Sequence, residues 1–222
     1  MEARELRRIA RENLAGNWGN AILAAFLAAL LGGLITSGIN FNIEISENDF
    51  KELPSALKTI FFSLLGVGGT LNFVHFILGG VIRQGYCVFL LKQYDRRDPQ
   101  TNDLFSQFDY FGNAFCLKFL QGLFVFLWML LLIIPGIVKS YAYSMAPFIM
   151  AENPDIRPRE ALRASEALMD GHKAELFFLE LSFIGWGLLS ALTLGIGSLW
   201  LNPYIQAAHT AFYRNLSYIT VE

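Results

Sequence analysis

The sequence predicts an all-α fold, a polytopic transmembrane helix bundle of about six spans, and three observations predict it. Of 222 residues, 54% are hydrophobic and only 16% are charged, whereas about a quarter of an ordinary soluble domain is charged. Four regions without Asp, Glu, Lys or Arg (13–43, 59–82, 119–138 and 181–213) reach or approach the roughly 20 apolar helical residues that cross a hydrocarbon core. The lysines and arginines gather between these regions, on one side of the implied membrane. The chain reads as a single integral membrane domain over residues 1–222.

Residues 2–15 place Leu6, Ile9, Ala10 and Leu14 on one helical face and Arg4, Arg7, Arg8 and Arg11 elsewhere, the pattern of a short helix lying on a membrane surface. Trp18 follows at a position suited to the headgroups. The apolar run beyond it is too long for a cleaved signal and lacks an Ala-x-Ala site. The first span, 20–39, carries a face of small residues: Ala21, Ala25, Ala29, Gly33 and Ser37, beside Ala24, Ala28, Gly32 and Thr36. Small side chains let helices approach closely where lipid gives no hydrophobic incentive to associate, so this face is expected to pack against other helices.

An acidic segment, 40–57, with Glu44, Glu47, Asp49, Glu52 and Pro54, predicts an exposed loop. The second span, 59–82, is glycine-rich, and its apolar pattern continues past Arg83 to Leu91; the end is expected to project beyond the membrane, because one straight helix of that length exceeds the core. Residues 92–109 read as a loop. The third span, 114–134, ends at a Pro135–Gly136 hinge, which removes a backbone donor and suits a turn between antiparallel helices. The fourth, 137–151, is short, is interrupted by a second hinge at Pro147, and either crosses or re-enters. Pro158 and Gly171 bracket an amphipathic helix with Ala161, Leu162, Ser165, Leu168 and Met169 as its apolar stripe, expected on the cytoplasmic face. Spans five and six, 175–194 and 196–213, are parted by Gly195 and Gly197, and Pro203 supplies a third hinge. Pro147–Ala151 also echoes Pro203–Ala207, which suggests two similar helical hairpins.

With the N-terminus inside and six crossings, most basic residues fall in the cytoplasm, including Arg4 to Arg11, Arg96, Arg97, Arg157 to Lys173 and Arg214. Both termini are therefore expected on the cytoplasmic side of a bacterial cell membrane. A net charge of -2 and the absence of a basic run exclude a nucleic-acid partner. Cys87 and Cys116 lie too far apart in sequence to form a Cys-x-x-Cys site. No metal-spaced His/Cys cluster, nucleotide-binding glycine loop or nucleophile elbow is present, so no enzyme and no cofactor are expected.

Polar residues inside the spans are the candidates for function, because ionisable groups there face the protein interior, pair, or line a path. Arg83, Glu180, Asn202, Gln206 and His209 form the candidate intramembrane cluster. Arg83, Glu180 and His209 are expected at similar depth near the cytoplasmic interface, where Arg83 either pairs with Glu180 or snorkels to the headgroups while Glu180 caps a neighbouring helix; Asn202, Gln206 and His209 share one face of span six with Tyr213. Two classes of function are consistent with this. One is a non-enzymatic membrane protein that binds lipid of the bilayer, a partner membrane protein or a second copy of itself. The other is a transporter-like protein with a polar pocket between the Pro/Gly-broken spans.

Particular words of the sequence carry a resemblance over nearly the whole chain. They are Leu130–Ile137, Lys139-Ser140-Tyr141 and Tyr143-Ser144-Met145, then Gly171-His172-Lys173, Ser182–Trp186, Thr193–Gly197 and Asn202-Pro203-Tyr204. With Leu14–Trp18, they make the chain similar to an uncharacterised bacterial family of multi-pass integral membrane proteins, a domain of unknown function. The resemblance implies membrane location and a helical bundle, and implies no catalytic residue.

Overall fold

A computed structural model describes residues 3–32, 55–193 and 195–219, with the backbone alone for 55–74 and 219. Among the described residues the fold is all-helical. Ten α-helices follow one another: α1 (Ala3–Leu14), α2 (Trp18–Leu30), α3 (Ser55–Tyr94), α4 (Phe111–Leu131), α5 (Ile133–Ala142), α6 (Ala146–Glu152), α7 (Pro158–Leu168), α8 (Lys173–Leu181), α9 (Ile184–Leu192) and α10 (Ser198–Ile219). Two 3₁₀ turns, Thr101–Phe105 and Phe108–Tyr110, join α3 to α4.

Two antiparallel hairpins organise the molecule. Proline lacks an N–H and its ring collides with the carbonyl four residues earlier. Pro135 thus stops α4 at Leu131, Leu132 is extended (φ -158°, ψ 136°), and α5 starts at Ile133 with the proline in its first turn. The arms then zip together: the Lys139 ammonium lies 5.4 Å from the Trp128 ring, Gln121 donates to the Tyr143 carbonyl, and the Phe124 and Tyr143 rings are 6.4 Å apart. Gly136 permits the close approach, since a Cβ there would sit 2.9 Å from the Met129 backbone nitrogen. In the second hairpin, α8 and α9 form one arm, bent at Ser182–Phe183, and α10 the other. Phe183 meets Tyr204 edge to face at 5.1 Å. Gly195, at φ +85°, turns the chain in a conformation that costs glycine little.

Both turns point to the same end of the molecule. Tyr141 of the first hairpin bonds Glu180 of the second, Phe148 stacks on Tyr213 at 5.3 Å, and Glu152 pairs with Arg214. Moving away from either turn therefore leads to one polar end, where Asp95, Glu152 and Arg214 meet. The core lies between, built on the C-terminal half of α3: Ile82, Tyr86, Phe89 and Leu90 are buried against Leu104, Phe148, Ala208 and Phe212. The apolar pattern beyond Arg83 is thus protein core, within one continuous helix α3.

Six crossings are not what these helices supply. Among the described residues, two helical stretches are long and apolar enough to cross a membrane, Thr101–Leu131 and Lys173–Leu192. The first expected span is described only to residue 32, where its helix covers 13 residues. The fourth is divided between α5 and α6, of 10 and 7 residues, or about 15 and 10 Å, with Pro147 in the first turn of α6. The sixth lies in α10, which buries Gln206 and Thr210 in protein.

The N-terminal amphipathic helix forms as α1, with its apolar stripe turned toward protein. Leu6, Ala10 and Leu14 are fully buried because α1 docks along α10, so its apolar stripe is covered by protein. The small face of α2 packs as expected at Ala21 and Ala25, together with Ala24 and Ala28, while Ala29 is exposed. A strict four-residue step advances 400° and drifts off a face by about 40° each time at 3.6 residues per turn, so the buried stripe follows alternating steps of three and four. Gly33 and Ser37 lie outside the described residues. In α7, Ala161, Leu162 and Ser165 are buried, as is Met169 just beyond it. The Ser165 hydroxyl donates to the Ala142 carbonyl and accepts from the Met145 N–H, joining α7 to the gap between α5 and α6.

Candidate lipid-facing site

The arginines of α1 lie across the second hairpin at its bend. Arg7 donates to the Ser182 carbonyl and its guanidinium sits 5.9 Å from the Phe183 ring; Arg11 lies 6.0 Å from the Tyr204 ring, and the Tyr204 hydroxyl donates to the Arg7 carbonyl. The leucines of α1 face the core, so the helix period turns Arg4, Arg8 and Arg11 outward, and all three are exposed. Glu5 and Glu12 share this helix, and Glu12 lies 3.8 Å from Arg8.

Two cavities open beside this row. A basic one, about 480 Å³, is lined by Arg4, Arg7, Arg8, Arg11, Glu12, Trp186 and Tyr204. The other, about 500 Å³, runs toward the hairpin turn between Trp18, Trp186, Leu189, Trp200, Leu201 and Tyr204. Arg11, Trp186 and Tyr204 border both. A cationic shelf is thus continuous with an apolar, tryptophan-rich groove.

Beyond the groove the hairpin turns present large apolar side chains. In the first, Leu130, Leu131, Leu132, Ile133 and Ile134 are each at least 61% exposed; in the second, Leu192 is 81% exposed and Ile196 61%. The turn after α9 makes hydrogen bonds within itself. The Gly195 N–H donates to the Ser190 carbonyl, the Ile196 N–H to the Thr193 carbonyl, and the Gly197 N–H to the Thr193 hydroxyl. The Thr193 and Ser198 hydroxyls donate to the Ser190 and Gly195 carbonyls. At the first turn, Leu132 and Gly136 donate to the Trp128 and Leu132 carbonyls.

Comparison with protein families gives a match to one family model, Protein of unknown function (DUF975), over residues 1–139 and 129–219. The chain belongs to the DUF975 family. No curated protein and no solved structure matches it.

In this DUF975 chain the polar cluster expected from sequence is only partly assembled. Glu180 accepts from the Tyr141 hydroxyl at 2.6 Å and lies 3.4 Å from His209 Nε2. Tyr141 was not among the expected partners, and no spacing rule links it to Glu180, which is 39 residues away. Gln206 is buried one turn from His209, and Asn202 is half-buried further toward the hairpin turn. Arg83 pairs with no carboxylate among the described residues. It belongs to α3, beside Tyr86 and Cys87, and the expected Arg83–Glu180 bridge is replaced by the Tyr141–Glu180–His209 contact. Of the hinges, Pro135 and Pro147 sit in first turns, and Pro203 lies inside α10. Pro203 has no N–H to offer the Leu199 carbonyl.

Sequence reasoning missed the charged network at the polar end. Arg214 bonds Asp95 at 2.6 Å and also bonds Glu152, which accepts from the Tyr213 hydroxyl as well. Burial pulls the Arg214 guanidinium down, but Glu152 and Asp95 more than offset it and hold its pKa above the ordinary value. Three charged residues at helix ends were visible in the sequence; nothing there paired them.

Proposed function

We propose that this DUF975 protein is a membrane-embedded lipid-binding protein, working by binding rather than catalysis, and that its two hairpins enter the bilayer turn-first from the cytoplasmic side. The observation that carries this is the pair of hairpin turns. Each exposes large apolar side chains and no charged one, and the second closes on itself through the hydroxyls of Thr193 and Ser198. Water would not require that closure, whereas in hydrocarbon an unsatisfied N–H or C=O costs several kcal/mol.

Charge and length agree. No Asp, Glu, Lys, Arg or His occurs in 119–138 or 181–208. Trp128, Trp186 and Trp200 flank the turns, where indoles favour the interface. The arms nearest the turns are short: α5 runs charge-free only over 133–138, about 9 Å, before Lys139 pairs with Glu166, and α9 holds 9 residues, about 14 Å, each at most half of a hydrocarbon core of about 30 Å. With the α1 arginines among the headgroups, the second hairpin turns back inside the bilayer instead of crossing it. The transporter reading needs a water-filled cavity lined by Glu180 and Gln206, and the cavities described above have other walls.

Alkaline carbonate extraction of membranes from cells expressing the full chain tests this. The protein should remain with the membrane pellet. Release into the soluble fraction would overturn the reading.

A further inference from the structure

The cationic shelf and the tryptophan-rich groove share walls, and that juxtaposition specifies a ligand. We infer that they form one site for an anionic phospholipid, with the phosphate on Arg4, Arg8 and Arg11 and one acyl chain in the groove between Trp18, Trp186 and Trp200. The inference rests on the membrane reading above and deepens it.

Charge complementarity selects the headgroup. Four arginines and one glutamate line the shelf, and that glutamate lies at the long distance of 3.8 Å from Arg8. Arg7 is committed to the protein through Ser182 and Phe183, and its Nε is buried without a partner among the described residues; it fixes the shelf in place. Arg4, Arg8 and Arg11 remain outward. Guanidinium forks bind phosphate oxygens in bidentate fashion. A zwitterionic headgroup would bring its own cation against these arginines.

The groove selects the tail. Its volume of about 500 Å³ falls within the roughly 300–1,000 Å³ of small-molecule sites. Its walls are mainly indole, phenol and leucine, and of its two hydroxyls that of Thr193 is bonded within the turn. It leads from the arginines toward the exposed hairpin turn, the direction an acyl chain takes below its phosphate. Tyr204 sits at the junction, held by its bond to the Arg7 carbonyl.

Tryptophan fluorescence reads occupancy directly, because three of the four tryptophans line the groove and Trp128, on the other hairpin, serves as internal reference. The full-length protein, delipidated in a neutral detergent, is titrated with phosphatidylglycerol or phosphatidylcholine carrying brominated acyl chains, which quench indole on contact. Half-maximal quenching should need at least tenfold less of the anionic lipid. The Arg4→Gln/Arg8→Gln variant alters exposed side chains and should melt as the wild type does. Its preference should fall to threefold or less, as expected if each arginine near an anionic surface contributes about fivefold. Soluble glycerol phosphate, a headgroup without chains, should fail to reverse the quenching at equal concentration.

Equal quenching by both lipids, or an unchanged preference in the double variant, would overturn the site. Displacement by glycerol phosphate would reduce it to an anion shelf and overturn the acyl-chain assignment. Failure of the membrane reading is distinct: the protein would then leave the membrane in carbonate, whereas a pelleted protein without lipid preference condemns this site alone.

Discussion

Replacing Arg214 with leucine should destabilise the protein far more than loss of a surface ion pair would. The side chain is 13% exposed and holds Asp95, 14% exposed, at 2.6 Å, together with Glu152, 30% exposed. These three residues tie the end of α3 to α6 and α10. Removing the shared cation leaves Asp95 with only the exposed Arg97 at 3.7 Å and Glu152 with only the Tyr213 hydroxyl, and breaking one member of a buried pair costs about 3–5 kcal/mol. Because Glu152 retains some water, the lower end applies, about 3 kcal/mol. For a chain of this size, a loss of about 1 kcal/mol lowers Tm by about 2–4 °C, so the variant should melt about 6–12 °C lower. Thermal unfolding in detergent, followed by far-ultraviolet circular dichroism, measures this. Adding Asp95→Asn and Glu152→Gln removes the orphaned charges and should recover a large part of the loss. A cost of less than about 1 kcal/mol, the value of an exposed pair, or a triple variant no better than the single one, would refute the reasoning.

Further consequences concern the packing of the bundle. Ala24→Leu pushes a large side chain into a fully buried position of α2 and should cost about 1–3 kcal/mol, whereas Ala29→Leu, on the exposed face, should stay within about 0.5 kcal/mol; equal melting temperatures would contradict the assigned face. Gly136→Ala meets the Met129 backbone and should lower Tm, while Gly122→Ala, with open space around it, should be neutral or stabilising by up to about 1 kcal/mol. Ser165→Ala leaves the Met145 N–H without its acceptor and should cost about 1–3 kcal/mol, measurable by the same melts.

The sequence made legible those features that depend on local chemistry. The break at Pro135 follows from a missing donor and a ring clash three or four residues away, and the glycine turn at Gly195 follows from what a left-handed backbone tolerates. The stripe Ala161, Leu162, Ser165 and Met169 is a helical period with a proline at its start and a glycine beyond its end. Features that depend on the rotation of one helix about another were not legible. Arg83 and Glu180 were matched by depth, and depth says nothing of azimuth: Glu180 faces Tyr141 and His209. The count of spans failed for a related reason, since an apolar helix packed in protein and one packed in lipid share a composition. The stretch from Tyr86 to Leu91 reads like lipid-facing helix, yet it is the centre of the core. The shelf and groove were half visible, with their arginines and tryptophans legible singly but Trp186 and Trp200 more than 170 residues from Arg11.

The most direct test of the central claim is the depth of the hairpin turns in a bilayer. An environment-sensitive fluorophore is attached to Leu132→Cys or Leu192→Cys, with Asp98→Cys as control, in full-length protein lacking Cys87 and Cys116 and reconstituted in liposomes. The account predicts that both turn positions are quenched by nitroxides placed midway along the acyl chains and are shielded from aqueous iodide, while position 98 behaves oppositely. Quenching of the turn positions by iodide, with no effect of the acyl-chain nitroxides, would contradict it.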